Sequence, residues 1–215
     1  TYPALAKISD NDTKFGDSYL RIIGLLGFAL FPIMLGLIAI SHDMFMLLLG
    51  EKWMPTVPYF EILALSGIFY PMAIVSYNVL KVKSDGRVIV RLEVIKRVIM
   101  TAVLCYTIPQ SVAAVAWGMT AMSAVEFILN TGVAMRYTAI RSTSLFRALL
   151  PTLALSAVMF CTLHLLAPHL SALHVAMRLM VMVIAGAVVY IGCATALRLK
   201  ALSEAVVIIR DMLRK

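Results

Sequence analysis

The chain has 215 residues, of which 62% are hydrophobic and 14% charged, and its formal net charge is +8. Soluble domains contain roughly 45–50% apolar and about 25% charged residues, so a single compact core could not bury this much apolar surface. The composition excludes a disordered chain, and the odd number of cysteines, 3, argues against a disulfide scaffold. We therefore expect an all-α integral membrane protein.

Hydrophobic segments of transmembrane length come next. A helix needs about 20 predominantly apolar residues to cross a bilayer. Six segments qualify: residues 20–40, 57–80, 88–108, 112–135, 148–166 and 176–197. The sequence thus predicts six transmembrane helices, with a short interfacial helix over residues 42–50 after the first.

These segments predict an organisation along the chain. It comprises a cytoplasmic amino-terminal segment (1–19), a four-helix membrane region (20–135), a cytoplasmic loop (136–147), an additional helix pair (148–199) and an amphipathic cytoplasmic tail (200–215). Because the sequence starts at Thr1 rather than Met, we expect it to continue an upstream part.

The distribution of Lys and Arg predicts the orientation, since short cytoplasmic loops carry the positive excess. With a cytoplasmic amino end, that side holds fifteen of the 19 cations: Lys7, Lys14, Arg21, Lys81, Lys83, Arg87, Arg91, Arg136, Arg141, Arg147, Arg198, Lys200, Arg210, Arg214 and Lys215. The opposite side holds Lys52 and Arg178. Both ends of the chain are therefore predicted to be cytoplasmic, and the basic balance indicates a membrane orientation and not a nucleic-acid partner.

The third segment contains four charged residues, Arg91, Glu93, Lys96 and Arg97. Each such charge at mid-membrane costs about 2.5–3.5 kcal/mol, so these turns must face protein or water. Glu93 lies three residues before Lys96 and four before Arg97, which allows either ion pair. Two interpretations stay open: the cations reach the cytoplasmic headgroups, or Lys96, Arg97 and Arg91 form a cationic cavity for an anionic substrate headgroup.

Two carboxylates also fall inside predicted spans. Glu126 lies deep in the fourth segment, where it could couple transport to a proton or pair with a cation such as Arg97. Glu61 lies one turn inside the second segment, where an interfacial carboxylate reaching water is the simpler interpretation. Arg178 is expected at the outer interface, and Asn130 is expected to bond between helices.

Sequence signatures of enzymes are missing. The chain contains no GxxxxGK[ST], HExxH, CxxC or GxSxG pattern, so we predict neither catalytic residues nor a metal or cofactor. The triplet Asp10-Asn11-Asp12 is expected to be a helix cap or turn.

Several motifs in the first half of the chain resemble one known family. They are Tyr2-Pro3-Ala4-Leu5-Ala6-Lys7, Phe31-Pro32, Gly36-Leu37, Leu48-Leu49-Gly50-Glu51-Lys52-Trp53, Ile62-Leu63-Ala64-Leu65-Ser66-Gly67, Leu80-Lys81-Val82-Lys83, Gly86-Arg87 and Leu92-Glu93-Val94-Ile95-Lys96-Arg97. In order and spacing this part resembles the bacterial Wzx-like polysaccharide-transport flippases, of the multidrug, oligosaccharidyl-lipid and polysaccharide exporter superfamily.

The resemblance implies the carboxyl-terminal part of a non-enzymatic transporter in the bacterial inner membrane. Such proteins move undecaprenyl-pyrophosphate-linked oligosaccharide by alternating access, for lipopolysaccharide or exopolysaccharide biosynthesis, and work beside polymerase and export components. Two alternatives stay open: a membrane-embedded enzyme acting on isoprenoid-linked sugars, and a non-catalytic subunit of the export machinery.

Overall fold

The computed structural model describes residues 12–138 and 140–213, and these residues form helices joined by short turns. The α-helices are α1 (Asp12–Leu48), α2 (Val57–Lys83), α3 (Gly86–Thr107), α4 (Val112–Ala134), α5 (Ser142–Leu166), α6 (Val175–Ala196) and α7 (Lys200–Leu213). Two short 3₁₀ helices, Glu51–Thr56 and Ala167–Leu170, precede α2 and follow α5. No strand occurs in the described part of the chain, which confirms the all-α class. The triplet Asp10-Asn11-Asp12 lies largely outside the described residues.

Every predicted span matches a helix to within one residue at its end, but the number of membrane-spanning candidates differs from the prediction. Five stretches of the described residues are long and apolar enough to cross a membrane: Lys14–Leu48, Glu51–Lys83, Val112–Ala134, Ser142–Leu170 and Val175–Ala196. Helix α3, the predicted third span, is 22 residues long. It is not among the five, because its cluster of charged residues makes it too polar. By length and composition the count is therefore five, not six.

The end of α1 corrects a second expectation. The predicted interfacial helix over residues 42–50 is not a separate element, because α1 continues without interruption to Leu48. Two residues after the helix end lies Gly50, whose φ of 81° is in the left-handed region that glycine adopts at least cost. Ser41 does not break the helix, and its Oγ lies 2.9 Å from the carbonyl oxygen of Ile38.

Many large apolar side chains on these helices point away from the protein interior, as expected where lipid is the surrounding medium. The free cysteines follow the same pattern: Cys105 and Cys161 are exposed and Cys193 is half-buried. They are therefore not the buried residues that their apolar surroundings in the sequence suggest.

The described chain forms two compact units. The first comprises the residues up to Leu26 together with Leu65–Ala148. Its core begins on α1, where Phe15, Tyr19 and Ile23 are fully buried. Their spacing of four places all three on one face of the helix. Tyr19 is tied to α2 by a hydrogen bond of 2.8 Å between its hydroxyl and Ser76 Oγ.

Helices α3 and α4 pack closely within this first unit. A methyl group built on Gly118 of α4 would lie 2.9 Å from Val103 Cγ1 and 3.1 Å from Thr107 Cγ2, both on α3. Small residues allow helix backbones to approach in this way inside a membrane. Gly132, on the same helix, has open space at the corresponding position.

We expect Gly118→Ala to destabilise the full-length protein by about 1–3 kcal/mol, because the added methyl overpacks the contact with α3. Gly132→Ala is the matched control, and it should be neutral or slightly stabilising because alanine has the higher helix propensity. Equilibrium unfolding in mixed detergent micelles measures both. Equal effects of the two substitutions would contradict the close approach of α3 and α4.

The second unit comprises Gly27–Ala64 and the chain from Leu149 onward. Its core pairs a stripe on α5 with a stripe on α6, each repeating every four residues. The buried side chains are Leu155, Met159, Leu163, Met182, Tyr190 and Ala194. Tyr190 also donates a hydrogen bond of 2.8 Å to the carbonyl of Phe28 on α1.

A bidentate ion pair joins α1 to α6 in this unit. Arg178 Nε donates to Asp43 Oδ2 at 2.6 Å, and Arg178 Nη2 contacts Asp43 Oδ1. The Asp43 side chain is 11% exposed and that of Arg178 21%, so the pair is largely shielded. Arg178 was expected only as an interface residue; its partner, 135 positions earlier, has no signal in the sequence.

We expect Asp43→Asn to cost about 3 kcal/mol of stability, because it leaves a shielded guanidinium without its counter-charge. The double variant Asp43→Asn/Arg178→Gln should recover a large part of that loss. A double-mutant cycle, measured by unfolding in mixed micelles, gives the coupling between the two residues. A coupling near zero would contradict the ion pair.

Candidate functional site

A cavity of about 450 Å³ lies among α2, α3 and α4 in the first unit. Its lining residues are Tyr70, Ala73, Ile74, Tyr77, Glu93, Lys96, Arg97, Glu126 and Asn130. They form three stripes at helical spacing: residues 70, 73, 74 and 77 on α2, residues 93, 96 and 97 on α3, and residues 126 and 130 on α4. Each stripe occupies one face of its helix, and the three faces meet around the cavity.

The α3 stripe is centred on the Glu93 carboxylate. Its Oε1 contacts Lys96 Nζ, and its Oε2 lies 3.7 Å from Arg97 Nη2. The Lys96 side chain is only 7% exposed and that of Arg97 is 76% exposed. Both ion pairs allowed by the sequence spacing therefore occur in one cluster.

Lys96 has a second partner on α2. Its ammonium lies 4.9 Å from the centroid of the Tyr77 ring, a cation–π contact. Lys96 is thus held between a carboxylate of its own helix and an aromatic face of the neighbouring helix. The Lys96 side chain is therefore shielded by protein on both sides.

The α4 stripe brings two oxygen-bearing side chains to the cavity. Asn130 Nδ2 donates to the carbonyl of Ala73 on α2 at 3.0 Å, which confirms the expected bond between helices. Only the amide nitrogen can donate to a carbonyl, so this bond fixes Oδ1 as the remaining polar atom. Among the described residues, Oδ1 has no hydrogen-bond partner. Glu126 is half-buried, and no ion pair joins it to another residue of the described part.

A buried hydroxyl network beside the cavity holds α2 and α4 together. Ser76 Oγ lies 2.8 Å from the Tyr19 hydroxyl and 2.9 Å from Thr131 Oγ1. It also donates to the carbonyl of Met72 at 3.0 Å. Since Ser76 precedes Tyr77 and Thr131 follows Asn130, this network fixes the register in which the cavity-lining side chains meet.

The structure brings together four of the six predicted site residues, Glu93, Lys96, Arg97 and Glu126. The other two lie elsewhere. Arg91 is exposed and does not line the cavity. Glu61 belongs to the second unit, where it accepts a hydrogen bond from Ser41 Oγ.

The sequence analysis missed the two tyrosines. Tyr70 and Tyr77 are seven residues apart, so they share a face of α2 inside an otherwise apolar segment. That spacing was the available signal. Among the described residues, no group of three or more His, Cys, Asp or Glu is placed to hold a metal ion.

Comparison with known proteins adds the family. A family described as polysaccharide biosynthesis protein matches residues 1–58. The lipopolysaccharide biosynthesis protein WzxC of Escherichia coli (strain K12) is 33% identical over 67 residues, which cover 31% of this chain and 14% of that protein. These matches support the resemblance to the Wzx-like polysaccharide flippases.

Two further relatives extend the similarity along the chain. A membrane protein of the cps region of Klebsiella pneumoniae is 28% identical over 130 residues, covering 60% of this chain and 27% of that protein. The teichuronic acid biosynthesis protein TuaB of Bacillus subtilis (strain 168) is 24% identical over 196 residues, covering 88% and 40%. The chain therefore spans less than half the length of these curated relatives. No solved structure matches it.

We expect Glu93→Gln to cost about 3 kcal/mol of stability, because it leaves the buried Lys96 ammonium with only the Tyr77 ring. Arg97→Gln, which removes the exposed cation from the same carboxylate, should cost less than about 1 kcal/mol. Unfolding of the full-length protein in mixed micelles measures both.

The double variant Lys96→Met/Glu93→Leu provides the control. It should be closer to the wild type in stability than Glu93→Gln is, because a buried pair replaced by apolar side chains leaves no uncompensated charge. Similar small losses for Glu93→Gln and Arg97→Gln would contradict the burial of Lys96.

Proposed function

We propose that this chain is part of a transporter that moves undecaprenyl-pyrophosphate-linked oligosaccharide across the bacterial inner membrane. It does so by alternating access and without covalent chemistry. The names of two relatives, which concern lipopolysaccharide and teichuronic acid biosynthesis, support this class of substrate. In this proposal polymerase and export components act on the same substrate on either side of the transport step.

The observation that carries the proposal is the cavity among α2, α3 and α4. Ionisable side chains among apolar helices are expensive, and they mark substrate or ion pathways. Here four of them surround one space of about 450 Å³. A packing role alone would favour apolar side chains at these positions.

The side chains have different roles in this proposal. Arg97, exposed beside the cavity, contacts the substrate, and Lys96 is held too tightly by Glu93 and Tyr77 to move far. Glu126, which faces the cavity from α4, is the carboxylate available for coupling or for charge pairing. Arg91, outside the cavity, serves membrane orientation.

The proposal also includes a topology. Helix α3 crosses the membrane in addition to the five stretches that qualify by length and composition, which gives six spans. Its charged turns lie against α2 and α4, and both ends of the chain are cytoplasmic. The ion pairs of Glu93 and the close contact at Gly118 support α3 as an embedded element, since they compensate charge and shorten the distance between helices.

The test is polymer export in cells whose own gene is replaced by the full-length gene with single substitutions. Arg97→Gln should reduce export about tenfold, the effect of losing one hydrogen bond from a charged donor. Arg91→Gln, six residues earlier on the same helix, is the matched control and should leave export unchanged. Immunoblots must show equal amounts of each variant in the membrane.

Unchanged export with Arg97→Gln, at wild-type protein levels, would contradict a substrate role for the cavity. Purified protein that covalently modifies a lipid-linked sugar would indicate the membrane-embedded enzyme instead. Export that is insensitive to all cavity substitutions but lost on deletion of the gene would indicate a non-catalytic subunit.

A further inference from the structure

The charges around the cavity balance. Two cations, Lys96 and Arg97, face two carboxylates, Glu93 and Glu126, so the formal charge of the lining is zero. The buried cation is also the better compensated of the two, through Glu93 and the Tyr77 ring. Charge-assisted binding of a phosphate or pyrophosphate group calls for an excess of positive charge. This lining has no such excess.

The α4 side of the cavity offers hydrogen-bond acceptors that the described residues leave unused. Asn130 is 3% exposed, and its Oδ1 has no partner among them. An unpaired buried acceptor is unfavourable, so a ligand that donates a hydrogen bond to it binds more tightly. One turn away on the same helix face, the Glu126 carboxylate is a second acceptor. Together they call for a ligand that presents donors.

The opposite sides of the cavity supply donors and aromatic surface. The Arg97 side chain carries five N–H donors, and its Nη2 lies 3.7 Å from the Glu93 carboxylate. Tyr70 and Tyr77 add phenol hydroxyls and ring faces. A ligand can contact side chains of all three helices if it donates and accepts hydrogen bonds at neighbouring atoms and has an apolar face that lies on a tyrosine ring.

We propose that this cavity binds a hydroxyl-rich sugar ring and not the phosphate group of the substrate. The proposal rests on the proposed function, which supplies a sugar-bearing substrate. Sugar hydroxyls donate to Glu126 and Asn130 Oδ1 and accept from Arg97, while a C–H face of the ring lies against Tyr70. The volume of about 450 Å³ falls within the roughly 300–1,000 Å³ of small-molecule sites.

Saturation-transfer difference NMR on the full-length protein tests this proposal. The protein is placed in lipid nanodiscs, free of maltoside and glucoside detergents whose headgroups would compete. The probes are the methyl glycosides of glucose, galactose and mannose, N-acetylglucosamine and, separately, inorganic pyrophosphate. We expect at least one sugar to give a saturable signal that pyrophosphate does not displace.

Variants then assign the signal to the cavity. Glu126→Leu and Asn130→Leu should each weaken sugar binding about tenfold, the effect of one lost hydrogen bond to a charged or buried acceptor. Arg91→Gln should leave it unchanged. Because Asn130→Leu also breaks the bond to Ala73, Glu126→Leu decides the result if the Asn130 variant does not fold.

Three outcomes would overturn the proposal: no signal from any sugar, displacement of the sugar by pyrophosphate, or a sugar signal that is insensitive to Glu126→Leu. The export assay reports separately on transport. Sugar binding with unchanged export in Arg97→Gln would contradict the transport role alone, whereas pyrophosphate displacement with impaired export would contradict only the preference for sugar.

Discussion

A charge among apolar helices is stable only where an opposite charge or a hydrogen bond compensates it, and the Glu93 carboxylate does this for two cations at once. Its pairing with Lys96 allows the lysine to be buried against the Tyr77 ring of α2, and its second oxygen faces Arg97. Without that carboxylate, α3 could not present this face to its neighbours. The cavity therefore depends on this one acidic residue of its lining.

The same constraint operates in the second unit, by other means. Asp43 neutralises Arg178, which lies 135 positions later in the sequence, and Ser41 donates a hydrogen bond to the Glu61 carboxylate. Elsewhere the helices meet through small residues, since a methyl group on Gly186 would lie 3.2 Å from Leu163 Cδ1. Polar pairs thus determine which helix faces meet, and glycines determine how closely they approach.

Much of this arrangement was predictable from spacing. Helix positions follow from apolar length, and the three-and-four spacing of Glu93 to Lys96 and Arg97 allowed either ion pair, of which the structure has both. What the sequence did not reveal depends on contacts between distant segments. The acceptor of Asn130 is a backbone carbonyl, which every residue has, and Asp43 meets Arg178 only because α1 and α6 pack together. The sequence analysis divided α1 near residue 42, whereas the helix continues to Leu48 and the residue with positive φ, Gly50, comes only after it.

The pairing within α3 also bears on how the protein is made. Four charged side chains would make α3 costly to insert alone, at about 2.5–3.5 kcal/mol for each unpaired charge near mid-membrane. Only a short turn separates Thr107 from Val112, and α3 and α4 contact each other beside that turn at Val103 and Gly118. In a membrane-spanning α3, Glu93 lowers the cost before any partner arrives, and α4 then covers the charged face. During synthesis, the two helices would therefore enter the bilayer together as a hairpin.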